Sequence, residues 1–149
     1  MWYSVSCPDR LLIWREWRKG LDRMDLETAV HAVASTYMLV PRINHYLAAD
    51  EKDRWPTPWE LVMDNHYCDL AVALGMFYAL SLSKHAEHGP EILIYKDTEK
   101  HSWYHLCSIA NQKYILNWDQ GRIVNTPTLP SGAHQVHRYK EIDLAAQLG

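Results

Sequence analysis

Trp55-Pro56-Thr57-Pro58-Trp59-Glu60-Leu61 and, after six residues, Cys68-Asp69-Leu70-Ala71-Val72-Ala73-Leu74 form the stretch on which the fold turns. Thr57 stands at an N-cap position with Glu60 three residues on, and Pro58 occupies the first helical position, so two independent start signals coincide. A helix therefore begins here. It is short, because Asp64-Asn65 breaks the pattern, and from Cys68 to Ser83 every residue is helix-compatible. Asp64 or Asn65 is expected to cap that second segment.

Upstream, Trp2 to Ser6 reads as a short strand or arm, and Asp9 to Lys19 as a helix closed by Gly20. From Asp25, the apolar positions Leu26, Val30, Val33 and Tyr37 recur at helical spacing until Pro41 ends the pattern. Ala49 to Arg54 is the most polar stretch and reads as a solvated loop. Downstream the period changes. Glu91 to Lys96, Ser102 to Ile109 and Lys113 to Trp118 are β-rich runs, with Ala110-Asn111-Gln112 at a hairpin position. Gly121 to Val124 adds a short strand; Pro127, Pro130 and Gly132 mark a loop; His134 to Tyr139 is a last strand and Glu141 to Leu148 a short terminal helix. Helices first and sheet second predict an α+β chain: residues 1–54 a helical N-terminal part, 55–84 the central helices, and 91–140 an antiparallel sheet, all in one domain of 149 residues.

Composition bounds the function. With 48% hydrophobic and 22% charged residues and no run of eighteen apolar residues, neither disorder nor a membrane span is expected. A net charge of −3 with scattered basic residues argues against a nucleic-acid partner, which requires a basic face. Three cysteines cannot all pair within the chain, and Met-Trp-Tyr-Ser-Val lacks the features of a secretory signal, so a cytoplasmic setting is expected. Seven Trp and nine Tyr against one Phe make rings with a polar handle the main aromatic stock. Such rings fill cores and line grooves.

Cys68 is the residue with the most chemistry to offer. A helix N-terminus supplies partial positive charge and unpaired amides, which favour the thiolate a nucleophile needs. A histidine can take the thiol proton, and a third polar side chain can hold the ring in one tautomer. His101, Trp103, His105 and Cys107 alternate along one predicted strand face, and Asn117 and Asp119 share a face on the next strand. Which of these meet depends on hairpin register, since a slip of one residue exchanges faces. Cys7 and Cys107 read as small buried hydrophobes.

Trp55-x-Thr57-Pro58-x-Glu60 followed by Cys68-Asp69-Leu70-Ala71 resembles the Trp-x-Thr-Pro-x-Glu and Cys-Glu-Asp-x-Ala segments of bacterial transglutaminase-like cysteine proteinases. His101-Ser102-Trp103 is similar to the His-x-Trp of the wider superfamily, and Tyr114 to Ile123 to the proteinases' Leu-Asp-Asn-Leu-x-x-x-Ile segment. The resemblance covers roughly residues 55–124. It implies a papain-like, transglutaminase-like fold, with the nucleophile helix packed on an antiparallel sheet that carries the other triad members. Carried over by position, Cys68 matches the nucleophile, His101 the general base with His105 as competitor, and Asn117 or Asp119 the third member. The family's Gly-Asp before the nucleophile is His66-Tyr67 here, and Asp69 follows Cys68 by one residue where the family has an Asp two residues on. Trp55 and Trp103 are the expected substrate-binding rings; no upstream oxyanion donor is assigned, with Asn65 or the Trp55 indole N–H as the candidates.

The resemblance thus implies cleavage or transfer at an amide or thioester bond of a protein or peptide, through an acyl-thioenzyme and without a cofactor or metal. Two other readings compete. One is a catalytically inactive member of the same fold whose Trp- and Tyr-rich surface serves binding or assembly. The other is a metal-binding protein using His85-x-x-His88 or His134-x-x-His137, with Cys68, His101 and His105 as further ligand types, although no Cys-x-x-Cys or His-Glu-x-x-His is present.

Overall fold

The computed structural model describes residues 1–119, 122–124 and 130–149. Its helices are α1 (Cys7–Leu21), α2 (Leu26–Tyr37), α3 (Pro58–Asp64), α4 (Asp69–Ser81) and α5 (Ala145–Leu148). Its strands are β1 (Glu91–Asp97), β2 (Ser102–Ile109), β3 (Tyr114–Asp119), β4 (Arg122–Val124) and β5 (Ala133–Lys140). The strands form one antiparallel sheet in the order β4-β3-β2-β1-β5. The expected α+β architecture, helices packed on an antiparallel sheet, is what the chain adopts.

Local signals account for the helix starts. The Asp25 carboxylate accepts from the Thr28 amide at 2.8 Å and opens α2. At α3 the capping box is complete: Thr57 Oγ1 accepts from Glu60 N at 3.2 Å, and Glu60 Oε1 accepts from Thr57 N at 3.0 Å. Asn65, with φ 54°, ends α3 in the left-handed region rather than starting the next helix. The N-cap of α4 is Cys68 itself.

Every residue of α4 from Leu70 to Leu80 is buried, as expected of a helix apolar on all sides. It lies between α2 and the sheet, where Ile92, Ile94, Cys107, Ile109 and Leu116 face it in one continuous core. The opposite sheet face is a smaller cluster of Leu93, Leu106 and Ile115 under Tyr95, Tyr104, Trp118 and Val124. The Trp and Tyr excess has a structural reason. Trp14 Nε1 donates to Tyr37 Oη at 3.2 Å and Trp2 Nε1 to Tyr67 Oη at 3.4 Å, so buried polar handles satisfy one another inside the core.

Several boundaries differ from expectation. Trp2–Ser4 is a 3-10 turn rather than a strand, and α1 runs through Gly20 to Leu21. Lys52–Arg54 is a 3-10 turn within the expected loop, and Glu141–Leu144 is 3-10 before α5 begins. The Ala110-Asn111-Gln112 turn is present, with φ of 59°, 57° and 64°. Gly121 and Pro127 lie outside the described residues. Cys7 is exposed rather than buried, because it opens α1 at the surface, whereas Cys107 is buried. Among the described residues no helix is long and apolar enough to cross a membrane.

Candidate active site

α4 packs across β2, and this brings the start of the helix to the middle of the strand. Cys68 has extended backbone, φ −75° and ψ 174°, and its carbonyl accepts the first helical bond from Val72 N at 3.0 Å. Asp69 is the first helical residue, where a carboxylate is favoured by the helix dipole. On β2, Trp103, His105 and Cys107 alternate toward the helices, and His105 lies opposite Ile94 of β1.

His105 is 7% exposed, and its Nδ1–H donates to Asp69 Oδ2 at 2.7 Å. The acceptor is a carboxylate, so Nδ1 carries a proton, and in the neutral form of the ring Nε2 is the nitrogen with the lone pair. Asn117 braces this pair. Its Nδ2 donates to Asp69 Oδ1 at 3.2 Å, to the Asp69 carbonyl at 3.3 Å and to the His105 carbonyl at 2.8 Å. Asn117 reaches them because its φ is 70°, within a stretch of β3 whose pairing with β4 shifts register between Ile115 and Asp119. Such irregularities re-aim a side chain, and Asn tolerates the left-handed region better than most residues. Arg42 adds a looser contact, its guanidinium lying 3.6 Å from Asp69 Oδ1.

The other expected residues fall as follows. His101 is in the turn before β2, exposed and with φ 53°. Asp119 is exposed at the end of β3 and accepts from Arg122 at 3.4 Å. Trp55 is 4% exposed, and its indole N–H donates to the Ala48 carbonyl at 2.8 Å, so that donor is engaged. The Asn65 amide is likewise engaged, donating to the Tyr3 carbonyl at 3.0 Å. Trp103 is half exposed, with Lys96 Nζ 5.2 Å from its ring centroid. Cys68 is 1% exposed, and among the described residues no hydrogen bond joins its sulfur to His105.

Two cavities of about 590 Å³ each meet at His45, Trp103 and His105. One is also lined by Ala48, Ala49, Asp50 and His137; the other by Arg42, Asn44, Asp69, Asn117 and Trp118. Burial also marks other groups near the helices. It pushes the Cys107 thiol well above the usual thiol range, which keeps it protonated at neutral pH.

The metal reading has less to stand on here. His85 is buried with Nε2 donating to the Leu21 carbonyl at 2.7 Å, and among the described residues no group of three His, Cys, Asp or Glu side chains is arranged to hold an ion. Sequence reasoning missed Asp69 as the partner of the imidazole and missed Arg42 altogether. A carboxylate at the first helical position, adjoining the candidate nucleophile, was the available signal for Asp69.

No protein-family model matches the chain, and no curated protein matches it significantly. Solved structures do. Calcium-bound LapG of Legionella pneumophila aligns with a TM-score of 0.70 over 92% of this chain and 77% of LapG, at 13% sequence identity. A second LapG structure from the same organism gives 0.70 over 89% of this chain and 74% of LapG, at 14% identity. The EGTA-treated form gives 0.69 over 89% and 73%, also at 14%. At these identities the likeness is one of fold: the chain has the transglutaminase-like α+β arrangement of LapG, and the relationship is remote.

Proposed function

We propose that this protein is a cysteine-dependent hydrolase or acyltransferase acting on an amide or thioester bond of a protein or peptide, with Cys68 as nucleophile and His105 as general base. The observation that carries the reading is the 2.7 Å hydrogen bond from His105 Nδ1–H to Asp69, the residue that follows a helix-capping cysteine. The sequence resemblance to transglutaminase-like cysteine proteinases and the likeness of fold to LapG support it. His105 is preferred to His101 because it lines both cavities and has a carboxylate partner. In this reading Asp69 orients the ring, a role that position-matching assigned to Asn117 or Asp119, and Asn117 holds Asp69 in turn.

The chemistry follows from the tautomer. Nε2 takes the thiol proton as Sγ bonds to the carbonyl carbon, and the π electrons move to oxygen. Collapse expels the amine or thiol, which leaves with the proton from Nε2, and an acyl-thioenzyme remains. Water or an amine then attacks the acyl carbon with Nε2 accepting its proton, and Cys68 is regenerated. Free amides at the start of α4 are the nearest backbone donors for the developing oxyanion. Trp103, half exposed between the cavities, is the ring best set to contact substrate. The reaction needs a reduced thiol, which suits the cytoplasm inferred from cysteine usage.

A second reading, an inactive binding protein of the same fold, is favoured by the near-complete burial of Cys68. The two are separated with p-nitrophenyl acetate. The enzyme reading expects a burst of nitrophenolate and an acetyl adduct on Cys68, both lost in Cys68→Ala and slowed at least ~100-fold in His105→Ala. Acetylation confined to Cys7, or acetylation of Cys68 indifferent to His105, would refute it.

A further inference from the structure

The segment joining α2 to α3 runs alongside the residues that flank the candidate nucleophile. Val40 and Leu47 are buried and anchor it, while Pro41 to Tyr46 between them are all exposed on their outer side. Among the described residues, the polar contacts of Pro41 to Tyr46 go to residues 66–69. Arg42 forms a parallel bridge with Tyr67, Ile43 N donates to the Tyr67 carbonyl at 3.1 Å, and Tyr46 Oη donates to the His66 carbonyl at 2.8 Å. The Arg42 guanidinium lies 3.6 Å from Asp69 Oδ1.

Cys68 is thus bracketed in sequence by residues that this segment holds. Its 1% exposure contrasts with the 46% exposure of the Asp69 side chain next to it. Burial pushes the Tyr46 phenol upward, and the charge that Cys68 would carry as a thiolate is the next cause in the same direction. Apart from the single bridge to Tyr67, residues 41–46 belong to no helix or strand. A segment with so few backbone bonds and an exposed outer surface belongs to the parts of a fold that open locally.

We infer that residues 41–46 are a strap that shuts the Cys68 thiol off in the resting protein, and that access to the thiol requires the strap to lift between its anchors at Val40 and Leu47. Arg42, Ile43, Asn44 and His45 also wall the more polar cavity, so lifting the strap connects that cavity to the sulfur. The regulatory meaning of the strap rests on Cys68 being the nucleophile; the occlusion itself rests on the contacts just described.

The test is iodoacetamide labelling of the full chain, read residue by residue by mass spectrometry. The three cysteines supply their own controls, since Cys7 is exposed and Cys107 is buried in the core. Cys68 is expected to label at least ~10-fold more slowly than Cys7 in the parent protein, and at least ~10-fold faster in Tyr46→Ala than in the parent, with Cys107 still protected. Equal labelling of Cys68 and Cys7 in the parent, or no acceleration in Tyr46→Ala while Cys107 stays protected, overturns the strap. If Tyr46→Ala exposes Cys107 as well, it has unfolded, and Tyr46→Phe, which removes only the hydroxyl, decides: a several-fold gain at Cys68 alone supports the strap and no gain overturns it. Acetylation by p-nitrophenyl acetate keeps the two ideas apart. A Cys68 freed to alkylation in Tyr46→Ala but not acetylated there leaves the strap standing and removes the enzyme. A Cys68 acetylated with dependence on His105 but indifferent to Tyr46 does the reverse.

Discussion

Gly75→Ala tests the packing that carries α4, and the sign of the effect is diagnostic. A Cβ built on Gly75 overlaps Cε1 of Tyr37 and comes within 3.0 and 3.2 Å of Cζ and Cδ1. The ring has nowhere to go. It is 1% exposed, Trp2, Trp17 and Tyr67 lie with centroids 5.3, 5.9 and 6.1 Å away, and its hydroxyl is held by Trp14 Nε1. Overpacking a tight core costs ~1–3 kcal/mol and losing the Trp14 hydrogen bond about 1 kcal/mol, while Ala over Gly in a helix returns ~1 kcal/mol. The net is a loss of about 2 kcal/mol, or a fall of ~4–8 °C in Tm for a chain of this size. Thermal denaturation followed by circular dichroism measures it, with Tyr37→Leu as the second arm of a double-mutant cycle. In that background Gly75→Ala is expected to be neutral or stabilising, with a coupling energy of ~2–3 kcal/mol. A Tm raised by Gly75→Ala alone would refute the reasoning, because helix propensity would then be the only force acting.

Three further outcomes are expected. Burial pushes Tyr67 up to about 12 and raises Tyr37 and Tyr78 as well. Below the ordinary phenol value near 10 this costs nothing; from about pH 10 to about pH 12 the unfolded chain sheds a proton that the native state keeps, so stability falls, by roughly 3 kcal/mol from Tyr67 alone. Urea midpoints that stay level across that window would exclude it. Thr57→Ala removes the acceptor for Glu60 N and is expected to cost ~1 kcal/mol in chemical denaturation, with Thr57→Ser close to neutral. Asn117→Gly loses the amide's three hydrogen bonds but tolerates φ 70°, whereas Asn117→Ala also carries the left-handed penalty, so Ala is expected to be less stable than Gly by ~1 kcal/mol. The opposite ranking would mean that the backbone at 117 is not held in that conformation.

Much of the fold was legible from local pattern. The capping box at Thr57 and Glu60, the cap at Asp25, and the change from helical to alternating period after residue 90 each place an element by forces acting within a few residues. The boundaries that moved did so for equally physical reasons. Gly20 is tolerated inside α1, and Asn65 adopts the left-handed conformation that ends a helix instead of capping one. Sequence order could propose Cys68, a histidine and an Asn or Asp for one site, because a helix start and two neighbouring strands are local inferences.

The partners within that site belong to a different level. Asp69 meets His105 because α4 crosses β2 at mid-strand, and Asn117 joins them because its backbone turns left-handed where β3 shifts register against β4. His101, the first choice by position, falls in the turn outside the strand, while His105 keeps the alternation toward the helices. The cover over Cys68 comes from residues 41–46, more than twenty positions upstream and without a periodic signature. Capping, periodicity and turn chemistry act over a few residues and are written in the chain; hairpin register, a crossing point between helix and strand, and a loop laid over a thiol are contacts between distant segments, and those exist only once the core has closed.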